Sequence, residues 1–375
     1  MAVEVRELVR LWTDIRSTGE EVAVATVVRV AGSSYRKAGA RMMITRGGQR
    51  VGTVSGGCLE AEVSKKIWWL TEEGPVVRDY STSYDDDSGP AFGLGCDGVV
   101  TLLLERVYST DPLFEALRRS VEDRASSAIV TAIATHTSRV EVGARVIVDE
   151  EMKVTQSAEL HEDLRRQMLS IAASVLETRL SASISTVFEG SEIELFAEYL
   201  APPPALFLFG SGDDAQPVAH LADTMGWEVT VADGRSHLAT RARFPNAQRV
   251  AVLDLDDPAS NLGISIGDAA VVLTHSYVQD VAILRALLPL DLCYLGVLGP
   301  RRRTERILAE VAPGLGMNPE GVMRRLRSPV GLDLGSGFSE VIALSIVSEI
   351  QSVLTQRSAA PLHFTASGIA TPIDG

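Results

Sequence analysis

Two glycine-rich segments in the first hundred residues each place a cysteine beside glycine backbone. The first is G-T-V-S-G-G-C-L-E (residues 52–60), and the second is G-L-G-C-D-G (residues 93–98). Because glycine has no Cβ, its backbone can approach a ligand closely. The first segment runs into a helix-like stretch, and a helix N-terminus favours a bound anion and lowers the pKa of a nearby thiol. The pattern predicts an anionic ligand held beside Cys58.

The candidate ligands in these segments are the amides of Gly56 and Gly57 and the thiols of Cys58 and Cys96. Successive glycines before a helix let several amides converge on one oxygen atom. A thiolate is a ligand for a soft metal and a carrier of sulfur. The alternative for either cysteine is a buried, inert side chain. A structural zinc site is not expected, because the two cysteines form no C-x-x-C pair.

Further candidates are a hydroxyl and cations that could bind an anion. Ser34 and Arg36 lie in G-S-S-Y-R-K, a loop that could hold a phosphate. Arg301 follows a strand in L-G-P-R-R-R, where arginine suits anion recognition at the carboxyl end of a sheet. His275 follows another strand, at the same expected edge. For each of them a solvated or packing role is the alternative.

A dinucleotide-binding fingerprint begins after the proline run of residues 202–204. The apolar stretch of residues 205–209 is typical of a buried parallel strand. Gly210 and Gly212 then begin a G-x-G-x-x-A pattern that opens a helix from about Asp213, and Asp233 ends the next strand, where an acid usually meets a ribose hydroxyl. The pattern predicts a doubly wound Rossmann-like domain.

Two acids make NAD(P) the lesser expectation for this domain. Asp213 and Asp214 lie in the predicted first turn of the helix, where they complement the helix dipole and would repel a pyrophosphate. The alternative is that the glycines serve only close packing between helix and strand.

The predicted fold class is α/β, with an N-terminal α+β region before the Rossmann-like domain. Residues 24–44 resemble residues 129–148, and both stretches end in Gly-Ala-Arg, so an internal duplication is one interpretation and chance similarity the other. The first copy is predicted as helix 3–17, strands 22–30, 42–45 and 51–54, helix 58–70 and strand 99–107. The predicted domains are 1–108, 109–200 (a degenerate repeat if the duplication is real) and 205–356, with a tail at 357–375.

Composition restricts the class of function. The 375 residues carry 35 basic and 49 acidic side chains, a net charge of −14, which argues against binding to nucleic acid or anionic lipid. Three cysteines do not suggest a disulfide scaffold and fit a reducing cytoplasm. No apolar run approaches the roughly 18 residues of a membrane span. Serine hydrolase, zincin and P-loop signatures are absent from the sequence.

Together these motifs resemble the XdhC/CoxI family, accessory proteins of molybdenum hydroxylases such as xanthine dehydrogenase. The matching segments, in family order, are GSSYRKAGARM, GTVSGGCLE, GLGCDGVVTLLLE, LFLFGSGDDAQPVAHLADTMGWEVTVAD, VLTHSYVQD, LGVLGPRRR and PVGLDLGSGFSEVIALSIVSEI. Tyr35 stands where the family often has proline. Asp213 and Asp214 replace a glycine–histidine pair that many members have, a departure that weakens the case for dinucleotide binding.

The resemblance implies a chaperone with no turnover, and therefore no catalytic residue. Such a protein binds the molybdopterin cofactor, protects it while its terminal sulfido ligand is installed, and passes it to an apo molybdenum hydroxylase. A cysteine desulfurase-type sulfur donor, a homodimer and a cytoplasmic location belong to the same expectation. The implied cofactor-binding residues are Ser34, Arg36, Gly56, Gly57, Cys58, Glu60, Cys96, Gly210, Gly212, Asp233, His275 and Arg301, with Cys58 and Cys96 at the metal.

Two other functions remain open on the residues alone. One is an NAD(P)-dependent oxidoreductase that uses Gly210, Gly212 and Asp233, with His275 as proton donor. The other is a redox or regulatory module that acts through thiols of low pKa.

Overall fold

A computed structural model of the chain describes residues 2–32, 36–57, 59–81, 98–335 and 337–364. The chain divides into two compact units, the first ending at Pro202 and the second beginning at Pro203. The division falls inside the proline run, whose fixed φ angles and missing amide donors interrupt regular structure. Residues 365–375, most of the predicted tail, lie outside the described residues.

The first half of the first unit is an antiparallel sheet with helices on its two faces. Its elements are α1 (Ala2–Ile15), β1 (Glu21–Gly32), β2 (Arg41–Thr45), β3 (Arg50–Gly52), α2 (Glu60–Leu70), β4 (Val76–Ser81) and β5 (Gly98–Tyr108). The strand order is β3-β2-β1-β5-β4. β1 is central and has apolar residues on both faces, so Ala23, Ala25 and Val27 pack in the cluster of α2 while Val22 and Val24 pack in that of α1.

The second half of the first unit forms another antiparallel sheet with the same topology. Its elements are α3 (Pro112–Glu122), β6 (Ser127–Thr135), β7 (Arg145–Asp149), β8 (Val154–Gln156), α4 (Glu162–Thr178), β9 (Ala182–Phe188) and β10 (Ser191–Leu200). The strand order is β8-β7-β6-β10-β9, which is the first order with each strand replaced by its counterpart. The shared order fits the predicted repeat, although common descent of the two sheets stays a prediction.

Two buried ion pairs connect these sheets reciprocally. Arg41 of the first sheet binds Glu198 of the second, and Arg145 of the second binds Glu105 of the first. Each arginine closes one of the two Gly-Ala-Arg segments and also donates to the carbonyl of the glycine two residues earlier, at 3.0 and 3.2 Å. All four side chains are at most 7% exposed, so the loss of one partner would leave a buried charge unpaired.

The second unit is a five-stranded parallel sheet with helices on both faces. Its elements are β11 (Ala205–Phe209), α5 (Ala215–Thr224), β12 (Glu228–Asp233), β13 (Arg249–Val252), β14 (Ala269–Val272), α6 (Tyr277–Leu287), β15 (Tyr294–Val297), α7 (Arg301–Val311), α8 (Pro319–Arg325) and α9 (Ser339–Leu354). The order β13-β12-β11-β14-β15 reverses direction between β11 and β14, where open α/β sheets bind ligands. The predicted fold class is confirmed.

Within the described residues, no helix combines the length and apolar character that a bilayer span requires.

Candidate functional site

In the first unit, the glycine loop (residues 53–57) wraps around a carboxylate of its own chain. The Glu60 side chain, at the start of α2, accepts six hydrogen bonds from this loop. Oε1 lies 2.9–3.2 Å from three amide nitrogens, and Oε2 lies 2.9 Å from a fourth and 2.7 Å from a hydroxyl. The donors are Thr53 Oγ1, Ser55 Oγ and the amides of Val54, Ser55, Gly56 and Gly57.

The Glu60 carboxylate is ionised and buried, with only 2% of the residue exposed. Burial by itself would raise the pKa of Glu60, but hydrogen bonds from Thr53 and Ser55 outweigh it and lower the pKa to about 2. The predicted convergence of glycine amides on an anion therefore exists, but the anion is Glu60. An external ligand of the Gly56 and Gly57 amides would have to compete with it, and α2 begins at Glu60 rather than at Cys58.

The predicted sulfur ligands Cys58 and Cys96, and the predicted phosphate ligand Ser34, lie outside the described residues. Backbone groups on either side of Cys58 are fixed, because the Gly57 amide donates to Glu60 and the Leu59 amide donates to Ser55 Oγ at 3.0 Å. Within the part of the chain that the structure describes, no group of three or more His, Cys, Asp or Glu side chains is arranged to hold a metal.

The third cysteine, Cys293, is exposed at the surface of the second unit. Partial desolvation of the sulfur, and to a smaller extent the charge of Asp268, raise the pKa of Cys293 to about 11. A thiol with this pKa is almost entirely protonated at neutral pH. The sequence did not single out Cys293, and the structure gives no reason to add it to the site.

Arg36, the predicted phosphate ligand of the first unit, forms an ion pair with α1. Its Nη2 lies 2.7 Å from Oε1 of Glu4, in the first turn of that helix. The Arg36 side chain is 29% exposed and the Glu4 side chain 16% exposed, so the pair lies at the surface of the unit. No sequence signal indicates this pairing, because the partners are 32 positions apart and on different elements.

In the second unit, Asp233 is saturated by neighbouring groups. Its Oδ2 accepts from the amide and hydroxyl of Ser211 at 2.8 and 2.9 Å, and both of its oxygens accept from the guanidinium of Arg235 at 2.7 and 3.0 Å. Burial opposes ionisation, but the hydrogen bonds from Arg235 and Ser211 outweigh it and lower the pKa of Asp233. A ribose hydroxyl at this fully buried carboxylate would have to displace one of these donors.

His275 spans the point where the strand order reverses. Its Nε2 lies 2.7 Å from Oδ2 of Asp214, so a residue after β14 is linked to the residue that precedes α5. This position before α5 is where a dinucleotide pyrophosphate would bind in a Rossmann domain, and here a carboxylate of the chain lies there. Gly210 is required by packing, since a Cβ at this residue would lie 2.5 Å from the carbonyl oxygen of Leu273.

Of the arginines after β15, the one that reaches the sheet edge is Arg303 and not the predicted Arg301. Arg301 is 64% exposed and pairs with Glu305 on its own helix at 2.9 Å. Arg303 instead binds the buried carboxylate of Asp280, which also accepts a hydrogen bond from Thr274. The sequence motif contains three consecutive arginines, and only the turn of α7 decides which of them faces inward.

Comparison with known proteins places these features in a family. A family model described as "XdhC and CoxI family" matches residues 15–81, and one described as "XdhC Rossmann domain" matches residues 206–350. A protein of Bacillus subtilis (strain 168), named as a probable subunit of xanthine dehydrogenase, is 31% identical over 333 residues, covering 88% of this chain and 92% of that protein. The chain belongs to the XdhC and CoxI family.

Two further relatives match most of this XdhC/CoxI chain. The "Molybdenum cofactor insertion chaperone PaoD" of Escherichia coli (strain K12) is 25% identical over 350 residues, or 93% of this chain and 88% of that protein. A crystal structure described as a xanthine dehydrogenase from Bacillus halodurans is similar with a TM-score of 0.72 and 28% identity. The match covers 94% of this chain and 98% of that one.

The described candidates of this XdhC/CoxI chain fall into two sets. Arg36, Gly56, Gly57 and Glu60 belong to the first unit. In the second unit, Gly210, Gly212, Asp233 and His275 lie at the carboxyl edge of the parallel sheet, and Arg301 turns away from it along α7. The sequence analysis did not identify the side chains that pair with the candidates, which are Glu4, Ser211, Arg235, Asp280, Arg303 and, as the partner of His275, Asp214. Among these, only Arg235 had a local signal, because it is a cation two residues after a strand-ending acid.

Proposed function

We propose that this chain is a molybdenum-cofactor-binding chaperone. In this proposal it holds the cofactor for sulfuration and inserts it into an apo molybdenum hydroxylase of the xanthine dehydrogenase type. Two relatives support the proposal by their names, one as a molybdenum cofactor insertion chaperone and the other as a probable component of xanthine dehydrogenase. A cysteine desulfurase-type sulfur donor, a homodimeric state and a place in the reducing cytoplasm complete it.

The observation that carries the proposal is the locked glycine loop immediately before Cys58. Six hydrogen bonds to Glu60 hold the loop from the inside, while Gly56 and Gly57 are exposed on the outside. A rigid, exposed turn without Cβ atoms allows a bulky ligand to approach the backbone of the loop without obstruction. The cofactor fits this requirement as cargo, because it is a large anion that carries a dithiolene-bound metal.

We propose that the chain contacts the cofactor in two ways, at its phosphate and at its metal. Because the amides of Gly56 and Gly57 are engaged by the buried Glu60, whereas the ion pair of Arg36 lies at the surface, we assign the cofactor phosphate to Arg36, whose guanidinium can form two parallel hydrogen bonds to phosphate oxygens. Cys58 and Cys96 are proposed to contact molybdenum or to carry sulfur as thiolates. This assignment leaves Glu60 as the residue that fixes the loop and not as a ligand of the cofactor.

The oxidoreductase alternative receives less support from the second unit. Asp233 already accepts hydrogen bonds from Ser211 and Arg235, and Asp214 lies where a pyrophosphate would bind. We therefore propose that the Rossmann-like unit acts without NAD(P). A titration with NADH followed by fluorescence tests this, since submicromolar binding would favour the oxidoreductase.

The decisive experiment is to purify the protein from a molybdopterin-competent host and from an isogenic host that makes no molybdopterin. Oxidised pterin fluorescence and molybdenum content are measured per chain. We expect pterin only from the competent host, a large loss of molybdenum in C58S and C96S, and no loss in the matched thiol control C293S. Wild-type protein without pterin above the deficient-host baseline would overturn the proposal. C58S and C96S proteins that load and transfer cofactor normally would remove the thiol role.

A further inference from the structure

The charged groups that the sequence assigned to ligand binding have partners from this chain wherever the structure describes them. Arg36 pairs with Glu4, Asp233 with Arg235, and His275 with Asp214. A ligand that used one of these groups would have to exchange with the internal partner. The three pairs differ in how easily a ligand could displace the internal partner.

Of the two pairs that contain an arginine, Arg36–Glu4 is the better suited to exchange with a ligand. Asp233 is fully buried and held by Ser211 as well as Arg235, so its release would leave several groups unsatisfied. Arg36 and Glu4 are both partly exposed, and either side chain can be resolvated when the pair opens. An ion pair of this exposure is weak, because water and salt screen the attraction between its charges.

We infer that Glu4 is an internal competitor for Arg36 and that it lowers the affinity of this arginine for phosphate-bearing anions. In the absence of such an anion, the Glu4 carboxylate occupies the guanidinium at 2.7 Å. A phosphate carries more charge than a carboxylate and offers more acceptor oxygens to the same fork, so it displaces Glu4 when it binds. The released carboxylate remains in the first turn of α1, where the helix dipole continues to stabilise it.

The inference deepens the proposed function, on which it rests for the identity of the cargo. On this inference, Glu4 sets the anion concentration at which Arg36 becomes occupied, because every anion must displace the same carboxylate. The expected size of the effect follows from the strength of a partly exposed ion pair. Removal of the competitor should raise phosphate affinity about two- to fivefold.

Inorganic phosphate is the probe, measured by calorimetric titration of the full-length protein at low ionic strength. The variants are Glu4→Gln, the matched control Glu7→Gln, Arg36→Gln and the double variant of Glu4 and Arg36. Glu7 lies on the same helix, is exposed, and changes charge by the same amount. We expect E4Q to bind phosphate about two- to fivefold more tightly than wild type, E7Q to match wild type, and the gain to vanish in E4Q/R36Q.

Equal phosphate affinities of E4Q and E7Q, a gain that persists without Arg36, or no phosphate binding by any protein would each overturn the inference. An Arg36→Lys variant, which keeps the charge and loses the fork, serves if R36Q does not fold. Pterin loading separates this inference from the proposed function. Wild-type protein that carries pterin while E4Q shows no gain defeats the inference alone. An Arg36-dependent gain in E4Q, with no pterin in any protein, defeats the proposed function alone.

Discussion

Replacement of Glu60 by Gln should destabilise the first unit by about 3 kcal/mol near neutral pH. The depression of the Glu60 pKa from 4.5 to about 2 corresponds to that free energy, since each pKa unit is worth about 1.4 kcal/mol. Gln keeps the shape of Glu but loses the charge, and it directs an amide NH2 at groups that are themselves donors, among them the Gly57 amide. The loop would then have unpaired amides at a buried position.

The pH dependence of this loss gives a stricter test. A folded-state pKa below the unfolded value means that the stabilisation by Glu60 is fully present above about pH 4.5 and is lost as the pH falls towards 2. The difference in unfolding free energy between wild type and E60Q should therefore shrink by about 1 kcal/mol between about pH 7 and about pH 4. A protonated Glu60 and a Gln hold the loop about equally well.

The assay is urea unfolding followed by tryptophan fluorescence in a Trp227→Phe background. Trp227 belongs to the second unit, so the three remaining tryptophans, Trp12, Trp68 and Trp69, report on the first unit. Glu73→Gln is the matched control, because Glu73 is exposed just beyond α2 and its replacement removes the same charge. A gap between wild type and E60Q that stays constant over this pH range, or that E73Q reproduces, would refute the reasoning about the glycine loop.

Three further predictions concern the scaffold and the remaining thiol. Arg41→Met leaves the Glu198 carboxylate buried without a partner, so it should cost about 3–5 kcal/mol in urea unfolding; failure of R41M/E198L to recover most of that loss would contradict this account. Gly210→Ala places a Cβ 2.5 Å from a backbone carbonyl, whereas Gly263 has a positive φ in open space, so the melting temperature should fall far more for G210A than for G263A. Alkylation of Cys293, followed by peptide mass spectrometry, should be slow near neutral pH and accelerate up to about pH 11, and a rate that levels off near about pH 9 would count against the raised pKa.

The second unit is predicted well from the sequence because its signals are local. The predicted strand at residues 205–209 agrees to the residue with β11, and β12 ends at Asp233 as predicted, since each is a short apolar or β-branched run bounded by turn residues. The predicted helix start lies at about Asp213, but α5 begins at Ala215. Instead, the Asp214 carboxylate contacts the ring of His275, 61 positions later in the chain. Nothing near Asp214 in the sequence indicates that contact.

The candidate site is harder to predict, because the role of each residue depends on which other group of the chain it contacts. The glycine–glycine motif correctly indicates amides that converge on an anion. It does not indicate that the anion is the Glu60 side chain, because the sequence alone leaves a glutamate at a helix start free to face the loop or the solvent. For Arg36 the same ambiguity is resolved by Glu4, through the packing of α1 beside the first sheet.

The two sheets of the first unit have the same strand order but different loops before the helix that follows the third strand. Each sheet has a helix that follows its third strand, and each of these helices has a glutamate at its first position, Glu60 in α2 and Glu162 in α4. Glu60 is buried in the glycine loop, but the Glu162 side chain is 68% exposed, and the α4 N-terminus is capped by the His161 side chain instead. The second loop, S-A-E-L-H, contains no glycine that could adopt the positive φ angles of Gly56 and Gly57, 108° and 128°. The strand order is therefore compatible with either loop. It is the glycines at positions 56 and 57, and not the strand order, that distinguish the first sheet as the candidate functional site.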